Sequence, residues 1–409
     1  MRYKDFVDLR YEPKETDVIC TFRVEPAGIG IGEAAGGVAA ESSIGTWTEL
    51  STVKPYVLRL AAHVFSIEDN IIKIAYPLRL FELGSMPNIL SSVAGNVFGL
   101  RALKNLRLND ILLPRDIIRS FKGPKYGVKG IRKLLKVNDR PLIGTIIKPK
   151  LGLKTEDHAK VAYDAWVGGC DIVKDDENLS SQKFNPFEDR LAKTLEKRDR
   201  AEEETGERKV YMVNVTAETN EMVKRAEAVL SHGGEYAMID ILTCGYAALQ
   251  TFRNQDFDLV IHAHRAGHAA FTKDPKHGIS MRVVAKVARI LGVDQLHVGT
   301  VVGKMSETAE EVAENHDALT MEMSGLKPVL PVASGGLHPG LVPALVKLFG
   351  KDFVIQAGGG IHGHPGGTIA GAMAMRQAVD AAMHGVSLDV YAKKHKELEA
   401  ALETWGRTQ

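Results

Sequence analysis

The sequence predicts an α/β protein: a C-terminal (β/α)8 barrel of the TIM type behind an N-terminal ferredoxin-like α+β domain. From Arg140 onward, a short apolar run followed by an amphipathic helical stretch recurs eight times. The runs have no polar face, as expected of parallel strands covered on both sides. After the first run, where a dinucleotide-binding sheet would carry Gly-x-Gly-x-x-Gly, the chain holds Lys148-Pro149-Lys150 instead. Eight units fit a closed barrel better than an open doubly wound sheet.

Residues 1–122 carry strand signals at Val18–Val24, Tyr56–Phe65, Ile71–Ala75 and Leu106–Leu113, with helical signals at Gly32–Ala40 and Pro87–Phe98. Strand-helix-strand-strand-helix-strand is the ferredoxin-like order. Gly123–Asn138, with five lysines or arginines, reads as a connecting helix opening the second domain, residues 123–409. Barrel strands are expected at Leu142–Ile147, Asp171–Val173, Tyr211–Val215, Ala237–Leu242, Leu259–Ala263, Gln295–Val298, Val329–Ala333 and Phe353–Gln356. Helices between them include Thr155–Val167, Asn220–Ser231, Gly278–Leu291, Ala309–Met323 and Leu341–Leu348, and an acidic-basic helix follows at Leu388–Trp405.

Composition excludes several classes. Hydrophobic content of 44% with 25% charge is that of an ordinary globular protein. A net charge of +1 gives no footprint for nucleic acid or an anionic membrane. Cys20, Cys170 and Cys244 are odd in number and lack metal-site spacing, which fits a reducing interior without disulfides. Residues 1–5 lack the apolar stretch of a signal peptide and no run approaches a membrane span, so a cytoplasmic location is expected.

The chemistry centres on residues 168–177, Gly-Gly-Cys-Asp-Ile-Val-Lys-Asp-Asp-Glu. Strand alternation puts Lys174 and Asp176 on one face, and a turn after Asp176 can bring Glu177 to them. Two carboxylates at a strand end suit a hard cation such as magnesium. Lys174 joins as a ligand only if neutralised or made anionic, for instance as the carbamate formed with carbon dioxide. The plain alternative is a solvated run of surface charge.

Strand C-termini of a barrel open on one mouth, where catalytic groups gather. The other strand ends are rich in such groups. Lys148 and Lys150 follow strand one, and His262, His264, Arg265 and His268 follow strand five. His297 and then Lys304 follow strand six, Ser334-Gly335-Gly336 strand seven, and Gly358-Gly359-Gly360 strand eight. The glycine pairs offer backbone N–H groups to a phosphate, and Arg265 with His297 suits a second one. Positive charge on Lys148 and Lys150 should lower the pKa of Lys174 and favour its neutral amine. Lys148 is the candidate general base, and Lys304 lies in a loop able to cover the substrate. The set describes an enzyme that enolises a sugar bisphosphate.

Glu41–Trp47, Gly95–Gly99, Lys148-Pro149-Lys150, Gly169–Glu177, His262–His268, His297–Lys304, Ser334-Gly335-Gly336 and Gly358–Gly360 resemble, in this order and over nearly the whole chain, the large subunit of ribulose-1,5-bisphosphate carboxylase/oxygenase. Val332–Pro339, with Leu337-His338-Pro339-Gly340, looks most like the archaeal, form III-like type. The resemblance implies that Lys174 is carbamylated and holds magnesium with Asp176 and Glu177. It makes Lys148 the enolising base, Lys150 its electrostatic neighbour, and His264 a proton-transfer group beside the metal. Arg265 and His297 would bind one phosphate; Thr46, Trp47, Gly336, Gly358 and Gly359 the other, with Gly335 beside them. Ser334 would contact a substrate hydroxyl and Lys304 the carboxylated intermediate. Glu41, pairing with Lys304, and Asn96 would come from a partner subunit, which makes a symmetric homodimer the smallest catalytic unit.

Three departures bear on lid closure, gas preference and turnover. Ile146 stands where plant-type enzymes carry a threonine, Lys304 is followed by Met305-Ser306-Glu307, and the span from Lys304 to Ser334 is short. The same fold also serves relatives that enolise or isomerise other phosphorylated sugars, of the methylthioribulose phosphate kind, and a catalytically silent binding protein is the third possibility. Those relatives lose residues that are present here. The expected partners are ribulose-1,5-bisphosphate, carbon dioxide or oxygen, and a second copy of the chain, with no small subunit. By family analogy the pathway is salvage of nucleotide ribose (AMP).

Overall fold

The computed structural model describes residues 2–303 and 307–407. The chain forms two compact units, one made of Met1–Lys122, Gly267–Leu291 and Glu322–Leu326, the other of Gly123–Ala266, Gly292–Met321 and Lys327–Gln409.

The first unit is built on an antiparallel sheet whose strands lie in the spatial order Leu103–Leu112, Val18–Pro26, Ile71–Tyr76, His63–Glu68. With helices Ile31–Glu41 and Met86–Val93 between them in sequence, this is the expected ferredoxin-like arrangement. Val18, Cys20, Phe22 and Val24 are fully buried at every second position, which fixes the register against both neighbours.

Three expected boundaries move, each for a local reason. The run Tyr56–Phe65 is not one strand: Val57–Leu60 is a 3-10 turn, and pairing begins only where His63 faces Ala75. The helix expected over Pro87–Phe98 stops at Val93, and a separate 3-10 turn covers Asn96–Gly99. A Cβ on Gly95 would stand 2.1 Å from the Ser91 carbonyl oxygen, so only glycine permits that break. Gly278–Leu291 splits as well. Gly278, at φ +102°, joins Ile279 in a two-residue strand parallel to Leu103–Leu112, and the helix starts at Met281.

The second unit is a closed eight-stranded parallel barrel, as expected. In chain order its strands are Leu142–Ile146, Ile172–Lys174, Val210–Asn214, Tyr236–Asp240, Val260–His264, Gln295–His297, Leu330–Ser334 and Val354–Ala357. Each expected run matches one of them within about two residues. Seven strands begin with a buried apolar residue of one cluster: Leu142, Ile172, Val210, Tyr236, Val260, Leu330 and Val354. Helix Gly127–Leu135 packs Ile131 and Leu135 into that cluster and fills the N-terminal mouth. Burial of such side chains is worth about 1.5–3 kcal/mol each, so this end is the stable floor. Arg140 and fully buried Asp171 pair through two hydrogen bonds of 2.7 and 2.8 Å, tying strand one to strand two at the same end. The C-terminal mouth is left for chemistry. The last helical stretch is two helices, Leu388–Ala392 and Lys396–Trp405, parted at His395, whose ring stacks on Tyr391. Among the described residues no helix is long and apolar enough to cross a membrane.

Candidate active site

Lys174 ends strand two, paired in register with Ile146 and Met212 on either side. Its side chain is almost fully buried, and Nζ donates to the Asp175 carbonyl at 2.7 Å and lies 3.1 Å from Met238 Sδ. Burial, against the pull of Glu177, Asp176 and Asp175, holds its pKa below the ordinary lysine value. A neutral amine is the form that adds carbon dioxide. Glu177 Oε2 stands 3.9 Å from that nitrogen, so the turn after Asp176 does fold back as the alternation requires.

Asp176 accepts a hydrogen bond of 2.8 Å from Lys148 Nζ. Burial alone would raise its pKa, but Lys148 outweighs it and keeps the carboxyl below its ordinary value. His264 ends strand five with Nε2 3.6 Å from Glu177 Oε2 and Nδ1 3.5 Å from Asp240 Oδ1. Asp175, between the two cavity-lining residues Lys174 and Asp176, faces the opposite way. It accepts from Tyr211 Oη (2.6 Å), the Asn214 backbone N–H (2.9 Å) and Arg190 Nε (3.2 Å), and lies 3.1 Å from His158 Nε2.

These groups open into a cavity of about 630 Å³. Its wall carries Lys148, Lys150, Lys174, Asp176, Glu177, His264, His297, Ser334, Gly335, Gly336, Gly358 and Gly359. Twelve predicted residues from six strand ends thus meet in one place. The glycines are required there. Gly335 and Gly336 take φ of +119° and +75°, and a Cβ on Gly360 would stand 2.0 Å from the Leu337 carbonyl oxygen. Ile146, Leu337, His338, Gln356 and Trp405 complete the wall. Gln356 has no signal in sequence beyond being polar in an apolar run; both its amide atoms are buried without a partner among the described residues.

Two residues sit otherwise than expected. Arg265 is buried and donates to Glu307 Oε1 at 2.7 Å rather than lining the cavity. Gly299 makes room for this pair, since a Cβ there would stand 3.0 Å from the Glu307 carboxyl. His297 lines the cavity, but both ring nitrogens are engaged, Nε2 with His262 Nε2 at 3.0 Å and Nδ1 with Ser334 Oγ at 2.7 Å. It has no free N–H for a phosphate here. Lys304 lies outside the described residues.

Glu41, Thr46, Trp47 and Asn96 belong to the first unit. Glu41 ends its helix and accepts 2.8 Å from Tyr3 Oη. Ser42 and Ser43 turn the chain by donating back to Val38 and Ala39, and Trp47 then stands 81% exposed. Asn96 is also exposed.

The donor chemistry fits magnesium only with help. Among the described residues no three His, Cys, Asp or Glu side chains are grouped to hold a metal ion. Asp176 and Glu177 supply two hard oxygen donors, and Lys174 would complete the set once it carries a carbamate oxygen.

Fold and site together define a barrel enzyme whose lysines, carboxylates and glycine-rich strand ends converge on one polar cavity. The family model for the ribulose bisphosphate carboxylase large chain catalytic domain matches residues 127–405, and that for the N-terminal domain matches residues 5–117. The chain belongs to this family. It is 53% identical over 410 residues to the ribulose bisphosphate carboxylase of Pyrococcus abyssi, spanning 99% of this chain and 97% of that one. The octameric enzyme of Pyrococcus horikoshii, crystallised with sulfate, superposes with a TM-score of 0.96 at 53% identity, covering 99% of this chain and 97% of that chain. The dimeric archaeal enzyme of Hyperthermus butylicus gives 0.93 at 48% identity, covering 99% and 100%.

Proposed function

We propose that the cavity binds ribulose-1,5-bisphosphate and that the chain carboxylates it, yielding two molecules of 3-phosphoglycerate. One observation carries this: Lys174, Asp176 and Glu177 meet Lys148, Lys150 and two glycine pairs in a single cavity. Magnesium held by Asp176, Glu177 and carbamylated Lys174 would polarise the substrate carbonyl and stabilise the enediolate. Lys148 takes the proton in enolisation; in the resting site its partner is Asp176, and it becomes a base once that carboxylate is engaged elsewhere. Lys150 adds positive charge beside it. His264, poised between Glu177 and Asp240, moves a proton during hydration. Gly335, Gly336, Gly358 and Gly359 bind one phosphate through backbone N–H groups. Arg265 binds the other, exchanging Glu307 for it. Oxygen reaching the same enediolate gives an oxygenase side reaction. A second copy supplies Glu41, Asn96, Thr46 and Trp47, so the working unit is a homodimer or an assembly of dimers.

Fixation of labelled carbon dioxide by the purified chain with ribulose-1,5-bisphosphate tests this directly, after preincubation with magnesium and bicarbonate. Labelled 3-phosphoglycerate that depends on the preincubation is the expected result. Proton exchange on the substrate without fixation would sink the carboxylase reading and leave an enolase.

A further inference from the structure

We propose that Gln295, His262 and His297 form a hydrogen-bond chain of fixed direction that makes Ser334 an acceptor towards the substrate. His262 and Gln295 are then positioning residues buried beneath the cavity. The inference rests on the proposed substrate in this cavity, which Ser334 lines, and on the contact with a substrate hydroxyl that the family resemblance implies for it.

Strands five, six and seven bring the four side chains together. His262 faces Gln295 across the strand five–six ladder, and His297 pairs with Val332, two residues before Ser334. His262 and Gln295 are fully buried, while His297 and Ser334 reach the cavity wall. The contacts are continuous: Gln295 Oε1 to His262 Nδ1 at 2.9 Å, His262 Nε2 to His297 Nε2 at 3.0 Å, and His297 Nδ1 to Ser334 Oγ at 2.7 Å. The two rings meet edge to face. Burial pushes both histidines well below their ordinary pKa, which favours the neutral ring in each.

A neutral imidazole has one donor and one acceptor nitrogen, so the direction chosen at one end passes down the chain. The end is set by the Gln295 amide. Its Nε2 faces the Tyr236 hydroxyl at 3.4 Å, which leaves Oε1 to accept from His262 Nδ1–H. His262 Nε2 therefore accepts, His297 Nε2–H donates to it, and His297 Nδ1 accepts the Ser334 hydroxyl proton. That proton points inward. Ser334 shows the cavity only lone pairs and selects a ligand hydroxyl over a carbonyl or ether oxygen at that point. Rotating one amide, three residues away from the substrate, would reverse every proton and turn Ser334 into a donor.

The test is 15N spectroscopy of the full chain carrying [15N]histidine, with His262→Asn and His297→Asn for assignment. In the wild type, His262 is expected as the Nδ1–H tautomer and His297 as the Nε2–H tautomer. The opposite pair, or an imidazolium at either ring, overturns the proposal, and this measurement needs no substrate. Gln295→Leu removes the end acceptor. The His297 signal should then show both tautomers, and KM for the bisphosphate should rise about fivefold with kcat changed less. An unchanged KM beside mixed tautomers would remove Ser334 from substrate binding, and an inactive wild type with the stated tautomers would fault the carboxylase reading alone.

Discussion

Lys174, Asp175, Asp176 and Glu177 are adjacent in sequence and do opposite work. Lys174 and Asp176 share the cavity face, whereas Asp175 is turned into the wall, where four partners hold its carboxyl well below its ordinary pKa although burial alone would raise it. Removing Lys174 takes away the one side chain able to supply the missing metal-binding oxygen. Lys174→Ala is therefore expected to keep its fold by circular dichroism, to lose carbon dioxide fixation, and to lose carbon dioxide-dependent magnesium uptake measured by calorimetry. Uptake unchanged from wild type would refute the carbamate. Asp175→Ala leaves Arg190 buried without its carboxylate, and its stability in urea should fall by about 3–5 kcal/mol. The first of these roles is legible in sequence, because alternation along a short strand needs no more than the local pattern. The second is not: His158, Arg190, Tyr211 and Asn214 arrive from separate segments, and nothing near Asp175 in the chain announces them. Gln295 carries no signal for the same reason, lying inside an apolar run, and His262 is legible only as one of several polar groups at the end of strand five.

Strand ends, being fixed by the barrel, are where the sequence is most readable; the loops that leave them are not. The eight apolar runs became eight strands because residues covered on both faces leave little choice of partner or period. The segment after strand six brings one carboxylate to one guanidinium. Arg265 and Glu307 are 42 residues apart, buried together, and Arg265 Nη1 and Glu307 Oε2 have no further partner among the described residues. If Arg265 is the second phosphate site, the substrate must displace an internal carboxylate to reach it. Glu307→Gln keeps the shape and weakens the competitor. KM for the bisphosphate should fall severalfold, by about the difference between a charge-assisted and a neutral hydrogen bond, and steady-state kinetics would show it. A KM that rises would mean that Glu307 helps to build the site. Glycine-dependent breaks are the other loss at this scale. Gly95 lies just past the early end of one expected helix and Gly278 ahead of the late start of another, and at each a side chain would strike a carbonyl oxygen, a collision visible only in the folded chain.

At the scale of the whole molecule, the barrel has one closed end and one open one. Helix Gly127–Leu135 and the Arg140–Asp171 pair fill the N-terminal mouth, so a ligand has only the strand C-termini to approach. The cavity there is lined by twelve of the expected residues, all from the second unit. Glu41, Thr46, Trp47 and Asn96 are in the first, and an 81%-exposed tryptophan beside a polar turn suits a surface completed by another molecule better than one facing water. On the proposed reading that molecule is a second copy, and subunit mixing decides it. Glu41→Ala and Lys174→Ala chains should each be inactive alone. If sites are shared across a two-fold axis, a mixed dimer has one site with both defects and one with neither. Random pairing makes half the dimers mixed, so coexpressed chains should regain on the order of a quarter of wild-type fixation. If every chain carried its own complete site, no pairing of the two variants would restore any activity. Recovery after coexpression, and none after mixing chains already assembled, is the outcome that a site built from two copies requires.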